Sequence, residues 1–327
     1  YLLFELAKKG QKIVALKRKQ SDLSYVLKLF KYFSPDYKEL YSKIEWVTGD
    51  ILDYESLLSF FDKIDVVYHL SAKVSFNPWD KYDVLKTNIR GTENIVNACL
   101  EKNIQKLCFA SSVAALGQSP EGKETTEESP RLDDSTLSAY SESKFKSELE
   151  IWRGIQEGLN TVIVNPSIIF GAGNWNSGSP RMFKAIWKGL KFYTEGITGF
   201  VDAGDVAQLM VKLTDNNVFG ERFIISSENL SYKEIFTSIA DCLGKSRPNI
   251  KITKSLSQIF WRLEHIRSNL FFSEPILTKE TAQASHNEVF YSNQKIIDKT
   301  GHSFIPVKKS IEDISRIFLM EYVNSSA

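Results

Sequence analysis

The sequence reads KLCFASS at residues 106–112, SAYSESKFKSELEIWRGIQE at residues 138–157 and NTVIVNPSIIFG at residues 160–171. The first and third segments are short apolar runs, which are typical of strands buried on both faces of a sheet. The middle segment has apolar residues at helical spacing. Strand, helix and strand in this order predict a right-handed crossover between two parallel strands.

The same alternation extends towards the N-terminus. Apolar runs at residues 12–18, 43–50 and 65–72 predict three more strands, while residues 54–62 and 81–103 have the apolar spacing of helices. We therefore predict an α/β fold with a doubly wound parallel sheet that is covered by helices on both faces. Ligands of such sheets bind at the carboxyl ends of the strands.

Beyond residue 171 this alternation is interrupted. Residues 200–228 look like a return to the sheet, whereas the remaining segments mix loops and helices. We predict one domain formed by residues 1–172 together with 200–228. A smaller, discontinuous second domain is expected from residues 173–199 and 229–327, and it should lie over the strand ends.

Composition limits the classes of function. The chain has 327 residues, 43% of them hydrophobic, and a formal net charge of +1, which does not indicate nucleic-acid binding. No apolar run approaches ~20 residues, so no membrane span is predicted. Three scattered cysteines fit a reduced compartment, and we expect a cytoplasmic protein. The stretch at residues 259–272 is amphipathic; it packs on its own domain or forms a membrane-surface or dimer contact.

Other polar residues carry weaker signals. The four histidines lack the spacing of metal ligands, so no metal site is predicted, and His69 is expected to be a core histidine. Glu127 and Glu128 lie in a polar segment and are expected to face water.

The chemistry is concentrated in the segment YSESK. Tyr140 and Lys144 are four residues apart on a predicted helix, so their side chains share one face. A phenol with a pKa near ~10 is a poor base at neutral pH, but a nearby ammonium stabilises its phenolate and lowers that pKa. Ser112 ends the preceding strand, and its hydroxyl could orient a carbonyl or alcohol beside the phenol. These residues predict a proton-transfer site.

The order of motifs resembles a known family. CFASSVAALG, YSESK and NPSIIFG, with GDILD and TNIRGT upstream, are similar to the extended short-chain dehydrogenases/reductases. More narrowly, they resemble the NAD-dependent epimerase/dehydratase group, including its dihydroflavonol-reductase-like members. The resemblance implies an enzyme with a Rossmann domain, a bound NAD(P) and a small-molecule substrate that exchanges a hydride at a hydroxyl or carbonyl carbon.

The resemblance also implies roles for individual residues. Tyr140 is the acid/base, Lys144 binds the cofactor ribose, Ser112 orients the substrate, and Asn88 braces the active-site helix. Ser111 is a near alternative to Ser112. The cofactor would further be lined by Asp50, Ile51, Leu70, Ser71, Ala72, Lys73, Ser111, Pro166, Ser167 and Ile168, together with Tyr140 and Lys144.

The choice of cofactor depends on the end of the strand at residues 12–18. NAD enzymes commonly place an acid there, whereas NADP enzymes offer Arg nearby. Here Lys17 and Arg18 end the strand and no acid follows until Asp22. Since a 2′-phosphate attracts Arg and repels Asp, we predict NADP(H), with NAD as the alternative. A solvated basic strand end without a cofactor role is the other interpretation.

The chain departs from the family pattern at three places. The GxxGxxG turn is not found, and YLLFELAKKG at residues 1–10 resembles the helix that follows it. We expect the strand and turn to lie upstream, and the chain without them to fold poorly and bind cofactor weakly. Asn165 stands where many relatives carry Arg, which puts anion contacts in doubt. GAGNW at residues 171–175 replaces the commoner GPG-type loop and leaves substrate geometry open.

Three functions remain open from the sequence. The first is a reductase or dehydrogenase that acts on a carbonyl/alcohol pair and releases its cofactor. The second is a nucleotide-sugar epimerase or dehydratase with tightly bound NAD, and the third is a noncatalytic NAD(P)-binding protein. A homodimer through residues 81–103 and 138–157 is a family expectation. One cluster either lines a substrate pocket or packs as a helix face: Arg181, Phe183, Trp187, Lys188, Phe192 and Tyr193.

Overall fold

A computed structural model describes residues 1–62, 64–117, 119–120, 122–131, 138–270 and 278–324. Its strands are β1 (Ile13–Lys17), β2 (Ile44–Thr48), β3 (Val66–His69), β4 (Lys106–Ala110), β5 (Thr161–Pro166), β6 (Ile168–Phe170), β7 (Phe192–Tyr193), β8 (Ile197–Asp202), β9 (Glu221–Ile225), β10 (Glu228–Ser231) and β11 (Ile250–Lys251).

The helices alternate with these strands over the first half of the chain, as the sequence predicts. They are α1 (Leu2–Lys8), α2 (Ser24–Phe33), α3 (Tyr37–Ser42), α4 (Tyr54–Phe61), α5 (Lys81–Leu85), α6 (Gly91–Glu101), α7 (Ala139–Gln156), α8 (Pro180–Trp187), α9 (Ala203–Asp215), α10 (Tyr232–Leu243), α11 (Lys254–Leu270), α12 (Lys279–Ala284), α13 (Gln294–Thr300) and α14 (Val307–Asn324). No helix in the described ranges is long and apolar enough to cross a membrane.

The main sheet has the strand order β3-β4-β5-β9, and all of its neighbours are parallel. Strands β1 and β2 pair in parallel with each other and form a separate two-stranded sheet among the described residues. Parallel strands joined by helical crossovers confirm the predicted doubly wound α/β class.

Both faces of the main sheet are covered. Leu107 and Ile163 pack on one face with residues of α4, α6 and α7. Their chain neighbours Cys108 and Val162 pack on the other face with residues of α9. Successive side chains of a strand point to opposite faces, so burial on both faces explains the continuous apolar runs that predict these strands.

The predicted return to the sheet is divided between two sheets. β9 joins the main sheet beside β5, and α9 packs against β4 and β5. β8, however, pairs with β6 and β10 in a three-stranded sheet. The division of the chain into two domains stays a prediction.

Two residues of the cluster that could line a pocket or pack as a helix face, Phe183 and Trp187, pack in the interior. Phe183 is buried, and its ring lies 6.0 Å from that of Phe170. The ring of Trp187 lies 5.7 Å from that of Phe318 on α14. Burial of apolar area therefore accounts for these two side chains, and a substrate pocket is not needed to explain them.

Candidate active site

The carboxyl end of β4 carries two serines. The Ser111 amide donates to the carbonyl oxygen of Val164 at 2.8 Å, which continues the pairing with β5. Ser112 then begins a 3₁₀ turn, and its Oγ accepts a hydrogen bond from the Ala114 amide at 3.1 Å. Both serines therefore lie at the carboxyl end of the strands, where ligands of this fold bind.

Helix α7 presents Tyr140 in its first turn. The Ser138 hydroxyl caps the helix by accepting a hydrogen bond from the Ser141 amide at 3.0 Å. The Ser141 hydroxyl donates to the Ala114 carbonyl oxygen at 2.5 Å and joins the start of α7 to the turn after Ser112. Burial raises the pKa of the Tyr140 phenol, and a hydrogen bond with Ser112 opposes that rise.

Lys144 lies one helical turn further along α7 and is almost fully buried. Its Nζ donates to the carbonyl oxygen of Ala110 at 2.7 Å and lies 5.0 Å from the centroid of the Phe109 ring. Burial lowers the pKa of this ammonium to about 8, and the nearby Glu148 carboxylate opposes the shift. An ammonium has three donors, and one is used within the described part of the chain. Two donors are left for a polar ligand such as a ribose diol.

Asn88 joins two parts of the site. It is buried in a π-helical turn, Lys86–Arg90, between α5 and α6. Its Oδ1 accepts from the Lys73 amide at 2.7 Å, and its Nδ2 donates to the Lys73 carbonyl oxygen at 3.0 Å and to Ser143 Oγ at 2.8 Å. The loop after β3 is thereby held against α7. A π-helical turn inside an α-helix frequently marks a functional site.

His69 is a satisfied core histidine, as predicted. Its Nε2 lies 3.0 Å from Thr92 Oγ1, and that hydroxyl donates to the Asn88 carbonyl oxygen at 2.7 Å. The Thr92 hydroxyl must therefore accept from the imidazole, which assigns the ring proton to Nε2. Burial, together with the Lys144 charge, lowers the pKa of His69 to about 3, so the ring is neutral at physiological pH.

The first group of predicted cofactor residues lies at the carboxyl ends of β1 and β2. Lys17 is half-buried at the end of β1, and Arg18 beside it is exposed, with its amide donating to Ser21 Oγ at 3.1 Å. Asp50 is also exposed, and Ile51 is buried where Gly91 makes room for its side chain. A Cβ on Gly91 would lie 2.3 Å from Ile51 Cδ1, so a larger residue would displace Ile51.

The segment after β3 has a mixed environment. Leu70 and Ser71 are exposed, and Ala72 is half-buried. Lys73 was predicted to contact the cofactor, but its Nζ pairs with Asp80 at 2.9 Å and with Asp83 at 3.2 Å. Those ion pairs occupy the Lys73 side chain, while its backbone holds Asn88.

The third group of predicted cofactor residues lies beside Lys144 and in the β5–β6 connection. Ser111 Oγ is buried and has no hydrogen-bond partner among the described residues. Pro166 ends β5 and Ile168 begins β6. Between them, the Ser167 amide donates a hydrogen bond to the Ile225 carbonyl oxygen at 3.1 Å. Buried hydroxyls are normally paired, so the unpartnered Ser111 and the spare donors of Lys144 fit a polar ligand at this edge. These polar groups therefore fit a ribose diol such as that of NAD(P).

A buried polar cluster behind Ser112 was not predicted. Glu148 lies on α7 four residues after Lys144 and is 1% exposed. Asn165 Nδ2 donates to Glu148 Oε1 at 2.5 Å and to the Ser112 carbonyl oxygen at 3.0 Å. Arg222 on β9 pairs with the other carboxylate oxygen at 3.2 Å. The spacing of Tyr140, Lys144 and Glu148 would have revealed that Glu148 shares their helix face, whereas nothing local identifies Arg222 as its partner.

The expectation that Glu127 faces water is wrong. Its side chain is buried, and Oε1 accepts a hydrogen bond from the Ile224 amide at 2.7 Å. Its backbone carbonyl oxygen accepts from Arg222, so Glu127 belongs to the environment of the Glu148 ion pair. Glu128 is exposed, as predicted.

An aromatic surface also adjoins the phenol and was missed. The ring centroid of Phe76 lies 5.8 Å from that of Tyr140, in an edge-to-face arrangement. Phe76 is 38% exposed, and Trp79 a few residues later is 55% exposed. We call the three exposed loop residues Phe76, Trp79 and Val74 the aromatic wall; Phe76 is the member whose ring contacts that of Tyr140. The apolar residues of this loop are interspersed with polar ones, and no pattern in the sequence marks them.

Comparison with known proteins identifies the family. Residues 1–226 match the NAD dependent epimerase/dehydratase family. The chain belongs to this family. The predicted resemblance is confirmed, as is the expectation of an NAD(P)-dependent enzyme of the oxidoreductase or epimerase/dehydratase type.

Individual relatives share most of the chain length. Sterol demethylase protein B of Methylococcus capsulatus is 25% identical over 266 residues, covering 79% of this chain and 75% of the relative. Cinnamoyl-CoA reductase 1 of Petunia hybrida is 24% identical over 279 residues, covering 82% of this chain and 81% of the relative. Among solved structures, the Bordetella bronchiseptica enzyme WbmH in complex with NAD+ has a TM-score of 0.72 and 18% identity, covering 98% of this chain and 94% of that one.

Proposed function

We propose that this enzyme is an NADPH-dependent reductase that converts a carbonyl group on an aromatic or otherwise apolar substrate to an alcohol. The aromatic wall carries this proposal, because its member Phe76 places a partly exposed ring beside the Tyr140 phenol. Exposed aromatic side chains next to a polar reactive group are typical of sites that bind apolar ligands. The name of one relative, cinnamoyl-CoA reductase 1 of Petunia hybrida, supports a reductase that accepts an aromatic substrate.

In this proposal each site residue acts on the carbonyl oxygen or supports a residue that does. Bound NADPH supplies the hydride that reaches the carbonyl carbon. Ser112 Oγ donates a hydrogen bond to the carbonyl oxygen, and the Tyr140 phenol transfers its proton to that oxygen. The Lys144 ammonium stabilises the phenolate that is left and donates to the cofactor ribose. Asn88 holds α7, and therefore Tyr140 and Lys144, in position through Ser143.

The environment of Asn165 favours a reductase over a sugar-nucleotide epimerase. The amide nitrogen of Asn165 is used by Glu148 and by the Ser112 carbonyl oxygen, and the residue is fully buried. It offers no positive charge to a diphosphate. A nucleotide sugar would therefore find no anion contact at this position.

A reductase consumes its cofactor in each turnover, whereas an epimerase does not. With NADPH and an aromatic aldehyde or ketone, we expect loss of NADPH absorbance in proportion to the alcohol formed. An epimerase recycles its cofactor within one turnover and would convert a nucleotide sugar with no net absorbance change. Conversion of UDP-sugars, with no oxidation of NADPH by any carbonyl substrate tested, would refute the reductase proposal.

We infer a preference for NADPH from the basic end of β1. Arg18 is exposed there, where a 2′-phosphate could accept hydrogen bonds from its guanidinium. Arg18→Ala is expected to lower kcat/KM with NADPH by roughly 10- to 100-fold, because charged hydrogen bonds contribute about 1.5–3 kcal/mol. The rate with NADH should be unchanged, and Lys19→Ala, at the exposed neighbouring position, is the matched control. A wild-type preference for NADH would contradict the assignment.

Three expectations from the sequence remain proposals. We keep the division into a cofactor domain and a smaller substrate domain, a homodimer through α5, α6 and α7, and a cytoplasmic location. Leu149 on α7 and Tyr82 on α5 are exposed apolar side chains on these helices, which supports the proposed dimer surface. Sedimentation equilibrium would test the dimer directly.

A further inference from the structure

Helix α11 exposes apolar side chains to solvent. Ile259 is 54% exposed and Leu263 one turn later is 57% exposed, while Ser257 on the opposite side of the helix is buried. Phe260 is also exposed. Residues four apart on a helix lie on the same face, so Ile259 and Leu263 form one continuous stripe.

The stripe continues onto the short sheet formed by β7 and β11. The Phe260 ring centroid lies 6.5 Å from that of Phe192, and Phe192 is paired in register with Ile250. Both Phe192 and Ile250 are exposed. We call these five side chains the α11 face: Phe192, Ile250, Ile259, Phe260 and Leu263. An apolar patch rimmed by polar residues usually marks an interaction surface.

The sequence around the α11 face is strongly basic. Residues 245–270 contain six Lys or Arg and one acidic residue, Glu264, so this segment carries a formal charge of +5 in a chain whose total is +1. Part of this charge is neutralised: Arg247 pairs with Asp241, Lys251 with Glu195, and Arg267 with Glu264.

Three further cations lie near the apolar side chains. Arg262 is three residues after Ile259 and lies on the adjoining side of α11, Lys254 begins the helix about 140° around its axis from Ile259, and Lys191 precedes Phe192; all three are exposed. None has an ion pair with a residue in the described ranges. Arg262 stacks on the Trp261 ring at 4.8 Å and donates to the Gln258 carbonyl oxygen at 2.6 Å, which holds its guanidinium close to the helix. Unneutralised positive charge therefore lies along one side of the apolar stripe.

We propose that the α11 face docks this enzyme on the surface of an anionic lipid bilayer. A helix with an apolar face and flanking Lys and Arg lies in the membrane interface, with its apolar side chains among the acyl chains and its cations at the lipid phosphates. A second copy of the chain is a poorer occupant. A two-fold contact would gather the unneutralised Lys254 and Arg262 of both copies at one interface, at a cost in like-charge repulsion.

The test is co-sedimentation of the full chain with vesicles. We expect binding to vesicles of phosphatidylcholine mixed with phosphatidylglycerol, weak binding to phosphatidylcholine alone, and loss of binding as salt is raised. The variant Ile259→Asp/Leu263→Asp should bind at least about tenfold more weakly, because it removes apolar contacts and adds negative charge. Lys254→Gln/Arg262→Gln should lose the preference for anionic vesicles. Leu27→Asp, which changes an exposed leucine on α2, is the matched control.

The variants change exposed positions, and circular dichroism checks that each remains folded. Equal binding by wild type and by Ile259→Asp/Leu263→Asp would overturn the proposal, as would absence of binding to anionic vesicles. A dimer that this variant dissociates, with no vesicle binding by wild type, would assign the α11 face to a second copy and overturn it as well. Each result is independent of whether the enzyme is a reductase or an epimerase.

Discussion

Tyr140→Phe is expected to lower kcat of the holoenzyme by roughly 10²- to 10⁴-fold, the usual contribution of a positioned acid or base. The substitution removes the only group in the proposed mechanism that gives a proton to the carbonyl oxygen. It leaves the ring that contacts Phe76 and leaves Lys144 for the ribose, so cofactor affinity should be nearly unchanged. Steady-state kinetics with cofactor titration measure both quantities.

A matched control is available on the same side of the molecule. Tyr82→Phe removes the hydroxyl of an exposed tyrosine on α5 and should leave turnover intact. Normal turnover by Tyr140→Phe would refute the assignment of this residue as the acid/base. An equal loss in both variants would instead indicate a general effect on folding.

The pH dependence gives a second measure of Tyr140. Reduction needs the protonated phenol, so its rate should fall at high pH, and the reverse oxidation, which needs the phenolate, should rise there. The hydrogen bond from Ser112 lowers the pKa of Tyr140, in opposition to burial. This hydrogen bond exists in the free enzyme, before the Ser112 hydroxyl turns to the substrate carbonyl. Ser112→Ala is therefore expected to move the pH step of kcat/KM, which reports the free enzyme, to higher values, besides lowering the rate. A pH step at the same position in Ser112→Ala would contradict the coupling.

Glu148→Leu is expected to lower the free energy of unfolding by about 3–5 kcal/mol, the usual cost of removing one partner of a buried ion pair. Arg222 would be left with a partly buried charge, and Asn165 would lose the acceptor that its amide now contacts at 2.5 Å. Asn165 also holds the Ser112 carbonyl oxygen, so the variant should lower activity as well. Urea denaturation measures the stability.

Glu142 on the same helix provides the comparison. It pairs with Lys146 at 2.7 Å on the surface, and such exposed pairs contribute about 0.5 kcal/mol or less. A double variant, Glu148→Leu/Arg222→Leu, should lose less stability than the sum of the two single variants, because it leaves no unpaired charge. If Glu148→Leu costs no more than Glu142→Leu, the buried pair does not stabilise the fold as we infer.

Local patterns in the sequence were sufficient for the main elements and for part of the site. Burial on both faces makes a strand continuously apolar, so β4 and β5 were evident from KLCFASS and the first half of NTVIVNPSIIFG. The second half, predicted as part of the same strand, instead forms β6 in the three-stranded sheet. Tyr140 and Lys144 are related by one helical turn, and helix geometry alone places them on one face. The placement of Ser112 followed from its position at a strand end. Each of these inferences spans only a few residues.

The other features of the site depended on contacts between distant parts of the chain. Asn88 bonds to Lys73, 15 residues away, and to Ser143, 55 residues away. Phe76 meets Tyr140 only because the loop after β3 folds over the start of α7. Loop conformation has no periodicity that a sequence reveals, so the aromatic wall could not be predicted.

Glu127 and Glu148 show most clearly that the sequence does not reveal which charged residues are buried. Both are charged residues, which alone predicts exposure, yet both are buried around Arg222. The sequence by itself determined the fold class, the family and the Tyr140–Lys144 pair, because these depend on short-range periodicity and ordered motifs. Only the tertiary structure decided which polar groups are buried and which partners they have, because a buried charge is tolerated only where distant residues supply hydrogen bonds and opposite charge.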